Sequence, residues 1–179
     1  MLRIAIIIGS TRPGRKAEAV AKWVYEIAQN RSDAEFELVD IKDFDLPLLH
    51  EPVSPIMGQY TQEHTKTWSA KIASFDAYVF VTPEYNHGTS AALKNAIDFL
   101  YHEWVNKAAG FVSYGGAGGA RAVEQLRLVM AEVQIATVRN QSCSPCLPTL
   151  KTSASSSRLP STRSLSMRCS TRSSLGAVR

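Results

Sequence analysis

The sequence predicts an α/β fold in which a doubly wound parallel sheet carries helices on both faces. The first observation is that short apolar runs alternate along the chain with segments of helical periodicity, which is typical of parallel sheets covered by helices. The second is that the first run, residues 3–8, is mostly β-branched, as expected of a central strand buried on both faces. A chain of 179 residues is long enough for one such domain with its own core.

The elements follow in order from the N-terminus. Residues 16–29 have small and aliphatic side chains at helical spacing and are predicted to form the first helix. A second strand at 35–41 leads into a long irregular loop at 43–58 that contains three prolines. A second helix at 62–74 then precedes the third strand at 77–82.

The second half of the pattern is similar. A helix at 90–100 follows the third strand, and the fourth strand at 109–114 runs into a glycine-rich turn. The last helix is predicted over 120–133, and a short β-like stretch over 136–139. The periodicity ends there, so we expect the final strand and helix of the domain to be truncated or altered.

The composition changes abruptly after residue 141. Residues 142–179 hold twelve serines, six of the 20 Lys and Arg residues and all three cysteines, but no acidic and no aromatic side chain. Such a segment buries too little apolar area to offset its conformational entropy. We therefore predict a folded domain at 1–141 and a disordered Ser/Arg-rich tail at 142–179. Translation out of frame near codon 141 and a genuine low-complexity extension both explain this tail.

Charge and cysteine usage argue against several function classes. The net charge of +4 comes from the tail, because every acidic residue lies at or before Glu132, so the basic pI does not indicate specific nucleic-acid binding. The N-terminal apolar run is shorter than the roughly 7–15 residues of a signal peptide and the ~20 of a membrane span. The body has no cysteine and no histidines at ligand spacing, so we expect no metal. These observations favour a cytoplasmic protein that contacts no membrane.

The first strand and the first helix are joined by a segment that we call the first turn, Gly9-Ser10-Thr11-Arg12-Pro13-Gly14-Arg15. Free N–H groups at a helix N-terminus form a ready site for a phosphate. Ser10 and Thr11 can add hydroxyl donors, and Arg12 or Arg15 a charge-assisted hydrogen bond. The Walker and dinucleotide-binding patterns do not match. The turn therefore predicts a phosphate site of another kind, with an ordinary strand-helix turn as the alternative.

The second turn, Thr82-Pro83-Glu84-Tyr85-Asn86-His87-Gly88, follows the third strand. Ligands of doubly wound sheets bind where the strand order reverses, between strands one and three, so the first and second turns should face one pocket. Pro83 fixes the chain, Tyr85 offers stacking area, and the Asn86 amide can bond to the edge of a planar heterocycle. The alternative is a plain turn that uses Asn86 and Gly88 for positive φ.

The third turn, Ser113-Tyr114-Gly115-Gly116-Ala117-Gly118-Gly119, follows the fourth strand at the same edge. Its four glycines indicate a backbone that passes close to a ligand and donates N–H groups to it. Glycine-rich turns are common, so this pattern is informative only together with the other two.

Together the three turns resemble the NADPH-dependent FMN reductase family, which includes quinone, azo-dye and chromate reductases and has a flavodoxin-like fold with strand order 2-1-3-4-5. The resemblance covers residues 2–141. The matching stretches are Gly9-Ser10-Thr11-Arg12, then Thr82-Pro83-Glu84-Tyr85-Asn86 with Leu93-Lys94-Asn95-Ala96-Ile97-Asp98, and finally Ser113-x-Gly115-Gly116-x-x-Gly119-Ala120-Arg121.

The resemblance implies three sets of contacts with FMN. The phosphate would be held by Ser10, Thr11, Arg12, Gly14 and Arg15, the isoalloxazine lined by Pro83, Glu84, Tyr85 and Asn86, and its far edge contacted by Ser113, Gly115 and Gly116. No catalytic side chain is implied, because the flavin carries the chemistry.

The resemblance also implies partners. The electron donor would be NADPH or NADH, the acceptor a small molecule such as a quinone, azo compound, nitroaromatic, chromate or free flavin, and the assembly a homodimer or homotetramer that uses the helix at 90–100. Two other functions stay open. One is a flavodoxin-type electron carrier without a nicotinamide site, and the other is a module that binds nucleic acid or an acidic partner through its basic tail.

Overall fold

Within residues 1–145, five strands form one parallel sheet in the order β2-β1-β3-β4-β5, which confirms the flavodoxin-like order. The structure is a computed structural model, and it describes residues 1–145. All four strand pairs are parallel, so the carboxyl ends of the strands lie at one edge of the sheet. The strands are β1 (Leu2–Ile8), β2 (Ala34–Asp40), β3 (Ala77–Pro83), β4 (Ala108–Gly115) and β5 (Ala136–Pro145).

Among the described residues, four helices cover the sheet, and each lies within two residues of its predicted bounds: α1 (Ala17–Ala28), α2 (Glu63–Ala73), α3 (Ala91–Asp98) and α4 (Ala120–Glu132). The loop between β2 and α2 is more regular than predicted, because it contains two short 3-10 helices, Ile41–Phe44 and Pro55–Met57. Within residues 1–145, none of the helices is long and apolar enough to cross a membrane.

The sheet is buried on both faces, which explains the unbroken apolar sequence of β1. Ala5 and Ile7 pack on one face with side chains of α2, α3 and α4, including Trp68. Ile6 and Ile8 pack on the other face against α1. All four of these β1 residues are at most 4% exposed.

β5 is longer than predicted and continues past residue 141, where the sequence places the end of the folded domain. The strand continues to Pro145, and Ser142 and Pro145 pair in register with Val112 and Gly115 of β4. Residues 142–145 are therefore ordered, because backbone pairing along a strand does not require apolar side chains. The predicted disorder of the rest of the tail, its origin and the final helix lie outside the described residues.

Candidate functional site

The three turns lie together at the carboxyl edge of the sheet. The Ser10 hydroxyl of the first turn is 3.1 Å from the Tyr85 hydroxyl of the second. The Glu84 N–H of the second turn donates to the Tyr114 carbonyl of the third at 2.9 Å. Side chains and backbone groups of all three turns therefore share one rim, above β1, β3 and β4.

Gly9 allows the first turn to approach its neighbours closely. Its N–H donates to the Val81 carbonyl of β3 at 2.8 Å. A Cβ at this position would lie 2.7 Å from that carbonyl oxygen and 2.8 Å from Leu93 of α3. The Ser90 hydroxyl, which also caps α3 by accepting from the Leu93 N–H, donates to the Gly9 carbonyl. A larger residue at position 9 would push β1 away from β3.

The tip of the first turn, from Thr11 to Gly14, is exposed. Arg12 lies there with its guanidinium carbon 5.9 Å from the centre of the Tyr85 ring, at the outer limit of a cation–π contact. The Lys16 side chain at the N-cap makes no capping hydrogen bond to the first N–H groups of α1. Thr11 and the Arg12 cation thus lie on the exposed tip of the turn that leads into α1.

Arg15 lies in a different environment from Arg12, although both are predicted from the sequence to contact a phosphate. Its side chain is only 8% exposed, and it forms a two-pronged ion pair with Asp40 at the end of β2. The same guanidinium donates to the Ser10 carbonyl at 2.7 Å. Arg15 therefore holds the first turn against β2. Sequence reasoning missed Asp40, whose only signal is an acid at the end of a strand.

The second turn is a tight reversal in which the Tyr85 N–H donates to the Gly88 carbonyl at 2.9 Å. Asn86 and His87 have φ values of 50° and 74°, in the left-handed region that asparagine adopts more readily than most residues. Both residues are exposed. Gln125 of α4 donates to the His87 carbonyl at 2.8 Å and ties the turn to that helix.

Glu84 turns its side chain into the protein. The side chain is 3% exposed and forms an ion pair with Arg121 in the first turn of α4. A cation near a helix N-terminus interacts unfavourably with the helix dipole. The ion pair with Glu84 therefore explains why an arginine is found there. Oε2 of Glu84 is buried and has no hydrogen-bond partner within residues 1–145. Glu84 thus contributes its backbone to the rim, while its carboxylate is buried in the ion pair with Arg121.

Ser113 lies beneath the third turn and supports it. It is fully buried, and its hydroxyl donates to the Gly118 carbonyl at 3.0 Å. Gly115 is buried against the Cβ of Glu84, whereas Gly116 is exposed with open space around it. The side chain of Ser113 is therefore not at the surface, and the exposed part of the turn consists of Gly116 and Ala117.

This donor set fits a phosphorylated planar molecule better than a metal. An uncapped helix start, hydroxyls and one exposed cation suit an anion, and the backbone of two close turns suits the edge of a flat ring. Within the part of the chain that the structure describes, no group of three His, Cys, Asp or Glu side chains could hold a metal ion.

Comparison with known sequences shows relatives over most of the described residues. Residues 2–145 match the family described as NADPH-dependent FMN reductase. An NAD(P)H-dependent FMN reductase of Schizosaccharomyces pombe is 49% identical over 71% of this chain and 64% of its own length. An NAD(P)H:quinone oxidoreductase of Solanum tuberosum is 33% identical over 72% of this chain and 67% of its own length. The chain therefore spans about two thirds of these relatives.

Solved structures share the fold. A flavoenzyme NAD(P)H:acceptor oxidoreductase of Paracoccus denitrificans has a TM-score of 0.65 at 24% identity and covers 79% of this chain and 78% of its own. At this identity the likeness supports the architecture alone. The family match at 2–145 also extends four residues past the predicted limit of resemblance, to the end of β5.

Proposed function

The chain belongs to the NADPH-dependent FMN reductase family, and from this premise we propose that its three turns bind FMN and that it is an NAD(P)H-dependent oxidoreductase. The observation that supports this most directly is the meeting of the three turns at one rim, where Ser10 contacts Tyr85 and Glu84 contacts Tyr114. A doubly wound sheet binds its ligands at this edge, beside the switch in strand order between β1 and β3.

The residues divide into ligands and supports. We assign the phosphate to the first N–H groups of α1, the Thr11 hydroxyl, the Gly14 backbone and Arg12, with Ser10 at the base of the turn. Arg15 holds that turn in place through Asp40.

The ring contacts divide in the same way. We assign the ring to Pro83, Tyr85 and Asn86, with Gly115 and Gly116 at its far edge. Glu84 and Ser113 position the second and third turns, because their side chains are buried in contacts with Arg121 and Gly118.

FMN held by these residues would supply the redox chemistry between NADPH or NADH and a small acceptor such as a quinone. The chain's part is to bind and orient. Arg12 and the helix start offset the phosphate charge, and the backbone of the second and third turns fixes the plane of the ring. No side chain of the rim is needed as a general acid or base.

The test is to purify the full chain, titrate it with FMN and assay oxidation of NADPH with menadione as acceptor. We expect FMN binding and acceptor-dependent oxidation. Protein that binds no FMN contradicts the proposal. Protein that binds FMN but oxidises neither NADPH nor NADH is instead a flavodoxin-type carrier. Binding of DNA that disappears when the chain is ended at Pro145 would assign that property to the basic tail.

We also propose a homodimer or homotetramer that buries the loop between β2 and α2. Leu48, Ile56 and Met57 of this loop are 82%, 50% and 60% exposed, and burying them against a second copy would stabilise the assembly. The Asn95 side chain of α3 accepts from the Leu49 N–H and so holds the loop against that helix. Sedimentation should show an oligomer that Leu48→Asp weakens, whereas Leu128→Asp on α4 should not change it.

We propose a cytoplasmic location, which the free Cys143 supports because an exposed thiol persists in a reducing compartment. Cell fractionation tests this. Recovery with a secreted or membrane fraction contradicts it.

A further inference from the structure

Tyr114, within the third turn, carries a buried hydroxyl that folding alone does not explain. The residue is the partner of Pro83 across the β3–β4 ladder and is 8% exposed. Its hydroxyl oxygen is buried and has no hydrogen-bond partner within residues 1–145. An unpaired buried hydroxyl destabilises a protein, and phenylalanine would fill the same space without that cost. A ligand that accepts a hydrogen bond would account for the tyrosine.

The side chain lies on the face of the sheet that α1 covers. Tyr114 belongs to the same buried cluster as Ile8, at the end of β1, and Ala17, the first residue of α1. The titratable side chains that interact electrostatically with its hydroxyl are those of Tyr85 and Arg15. Both of these contact Ser10, Tyr85 through its hydroxyl and Arg15 through the Ser10 carbonyl. The Tyr114 hydroxyl therefore lies beneath the first turn, next to the start of α1.

The hydroxyl is a donor at neutral pH. Burial, followed by the nearby Tyr85 hydroxyl, raises the pKa of Tyr114 above its ordinary value, and the Arg15 cation offsets only part of this. A protonated hydroxyl next to uncapped N–H groups of a helix matches an anion that offers several acceptor oxygens.

We propose that the Tyr114 hydroxyl donates a hydrogen bond to the anion held by the first turn. This rests on the proposed function, under which the anion is the phosphate monoester of FMN. Tyr114 approaches the phosphate from the sheet side, whereas Arg12 lies on the solvent side. The pair selects the phosphorylated flavin over riboflavin, because riboflavin offers a neutral hydroxyl where FMN offers charged phosphate oxygens. Sequence reasoning passed over Tyr114 because it occupies the unspecified position of the third turn.

The experiment compares Tyr114→Phe with the wild type and with Tyr78→Phe. Tyr78 is a matched control because it is also buried, but its hydroxyl is partnered and donates to the Ile72 carbonyl at 3.0 Å. Apo-protein melting temperature is measured together with Kd for FMN and for riboflavin. We expect Tyr114→Phe to melt at or above the wild-type temperature and to raise Kd for FMN about tenfold or more, with Kd for riboflavin unchanged. Tyr78→Phe should melt lower and keep its preference for FMN.

Two results would overturn the inference while leaving the proposed function intact. They are an unchanged Kd for FMN in Tyr114→Phe, and an equal loss of FMN and riboflavin affinity. If the wild type binds neither flavin, the proposed function fails, and inorganic phosphate then tests the anion site alone. Phosphate that raises the melting temperature of wild-type apo-protein but not of Tyr114→Phe supports the inference. An equal effect on both proteins, or none on either, refutes it.

Discussion

Arg12 and Arg15 show how two identical side chains in one turn acquire different tasks. Arg12 is exposed at the tip of the first turn, while Arg15 is 8% exposed and paired with Asp40. An exposed cation can be removed without unfolding the protein, whereas breaking a buried ion pair leaves an uncompensated charge. Binding and stability should therefore respond separately to the two positions.

Replacing Arg12 by alanine is expected to raise Kd for FMN about tenfold or more, because a charge-assisted hydrogen bond is worth roughly 1.5–3 kcal/mol. The melting temperature of the apo-protein should stay close to that of the wild type. Fluorescence titration with FMN and thermal unfolding provide the two readouts. Unchanged FMN affinity would argue against placing the phosphate beside Arg12.

Replacing Arg15 by methionine is expected to lower the free energy of unfolding by about 3 kcal/mol, because it leaves Asp40, whose side chain is only 14% exposed, without its partner. Urea unfolding measures this. Asp40→Asn is the matched variant, and a double variant should lose less than the sum of the two single losses, since both break the same pair. Additive losses would mean that the pair is not the source of the stability.

The residue types at the site could be predicted from the sequence, but their partners could not. The three turns follow strands whose ends meet at one edge, so their proximity follows from the fold class. That Arg15 pairs with Asp40, and Glu84 with Arg121, depends on side-chain directions between separate elements, which spacing along the chain does not encode. The unpaired hydroxyl of Tyr114 could not be predicted from the sequence for the same reason.

At the scale of an element, the third turn depends on one glycine more than on the others. Gly119 has a φ of +78°, and a Cβ there would lie 2.6 Å from the Cβ of Ser113 and 2.7 Å from the Tyr114 nitrogen. Gly119→Ala is therefore expected to cost about 3 kcal/mol or more, since backbone strain and steric overlap add. Gly116→Ala is the control, because nothing lies within 4 Å of its added Cβ. Urea unfolding that shows equal losses would contradict this distinction.

The loop between β2 and α2 is anchored by Glu51, whose carboxylate accepts from the Thr61 hydroxyl at 2.7 Å and the Gln62 N–H at 3.1 Å. It thereby caps α2, whose own N-cap side chain makes no capping bond. Burial alone would raise the pKa of Glu51, but the hydrogen bonds from Thr61 and Gln62 outweigh it and lower the pKa to about 2. A carboxylate with a depressed folded pKa stabilises the protein above its unfolded pKa, near 4.5, and stops doing so as the pH falls towards 2.

Glu51→Gln should therefore lower the free energy of unfolding by about 1–2 kcal/mol at neutral pH, after allowance for partial exposure. The difference from the wild type should shrink between pH 5 and about pH 3, because protonation of the unfolded wild type removes its advantage. Urea unfolding at a series of pH values checks this. A difference that does not depend on pH would mean that the glutamine acts through packing.

Helix periodicity was strong enough to place all four helices within two residues, because each buries an apolar stripe on the sheet. The loop and the last strand were less predictable for a shared reason. Glu51 orders the loop through polar contacts, and residues 142–145 are ordered through backbone pairing. Neither interaction leaves an apolar period in the sequence.

At the scale of the whole molecule, the end of β5 packs against the third turn of the functional rim. The Ser113 hydroxyl, which holds the third turn, lies 3.5 Å from the Ser142 carbonyl. A Cβ on Gly118 would be 3.2 Å from the Cβ of Cys143, so the turn rests on that residue. The folded domain therefore includes residues 142–145, which composition assigns to the tail.

Ending the chain after Gln141 should accordingly harm both stability and FMN binding, whereas ending it after Pro145 should preserve FMN binding. The shorter form loses the pairing of Ser142 to Pro145 with β4 and leaves the third turn without support on one side. We expect its Kd for FMN to rise about tenfold or more, because hydrogen bonds of the third turn to the ring are lost together with its rigidity. Titration with FMN and urea unfolding of both forms and the full chain measure this. If the form ending at Gln141 binds FMN as the full chain does, the third turn is held by β4 and α4 alone, and the domain ends where the composition changes.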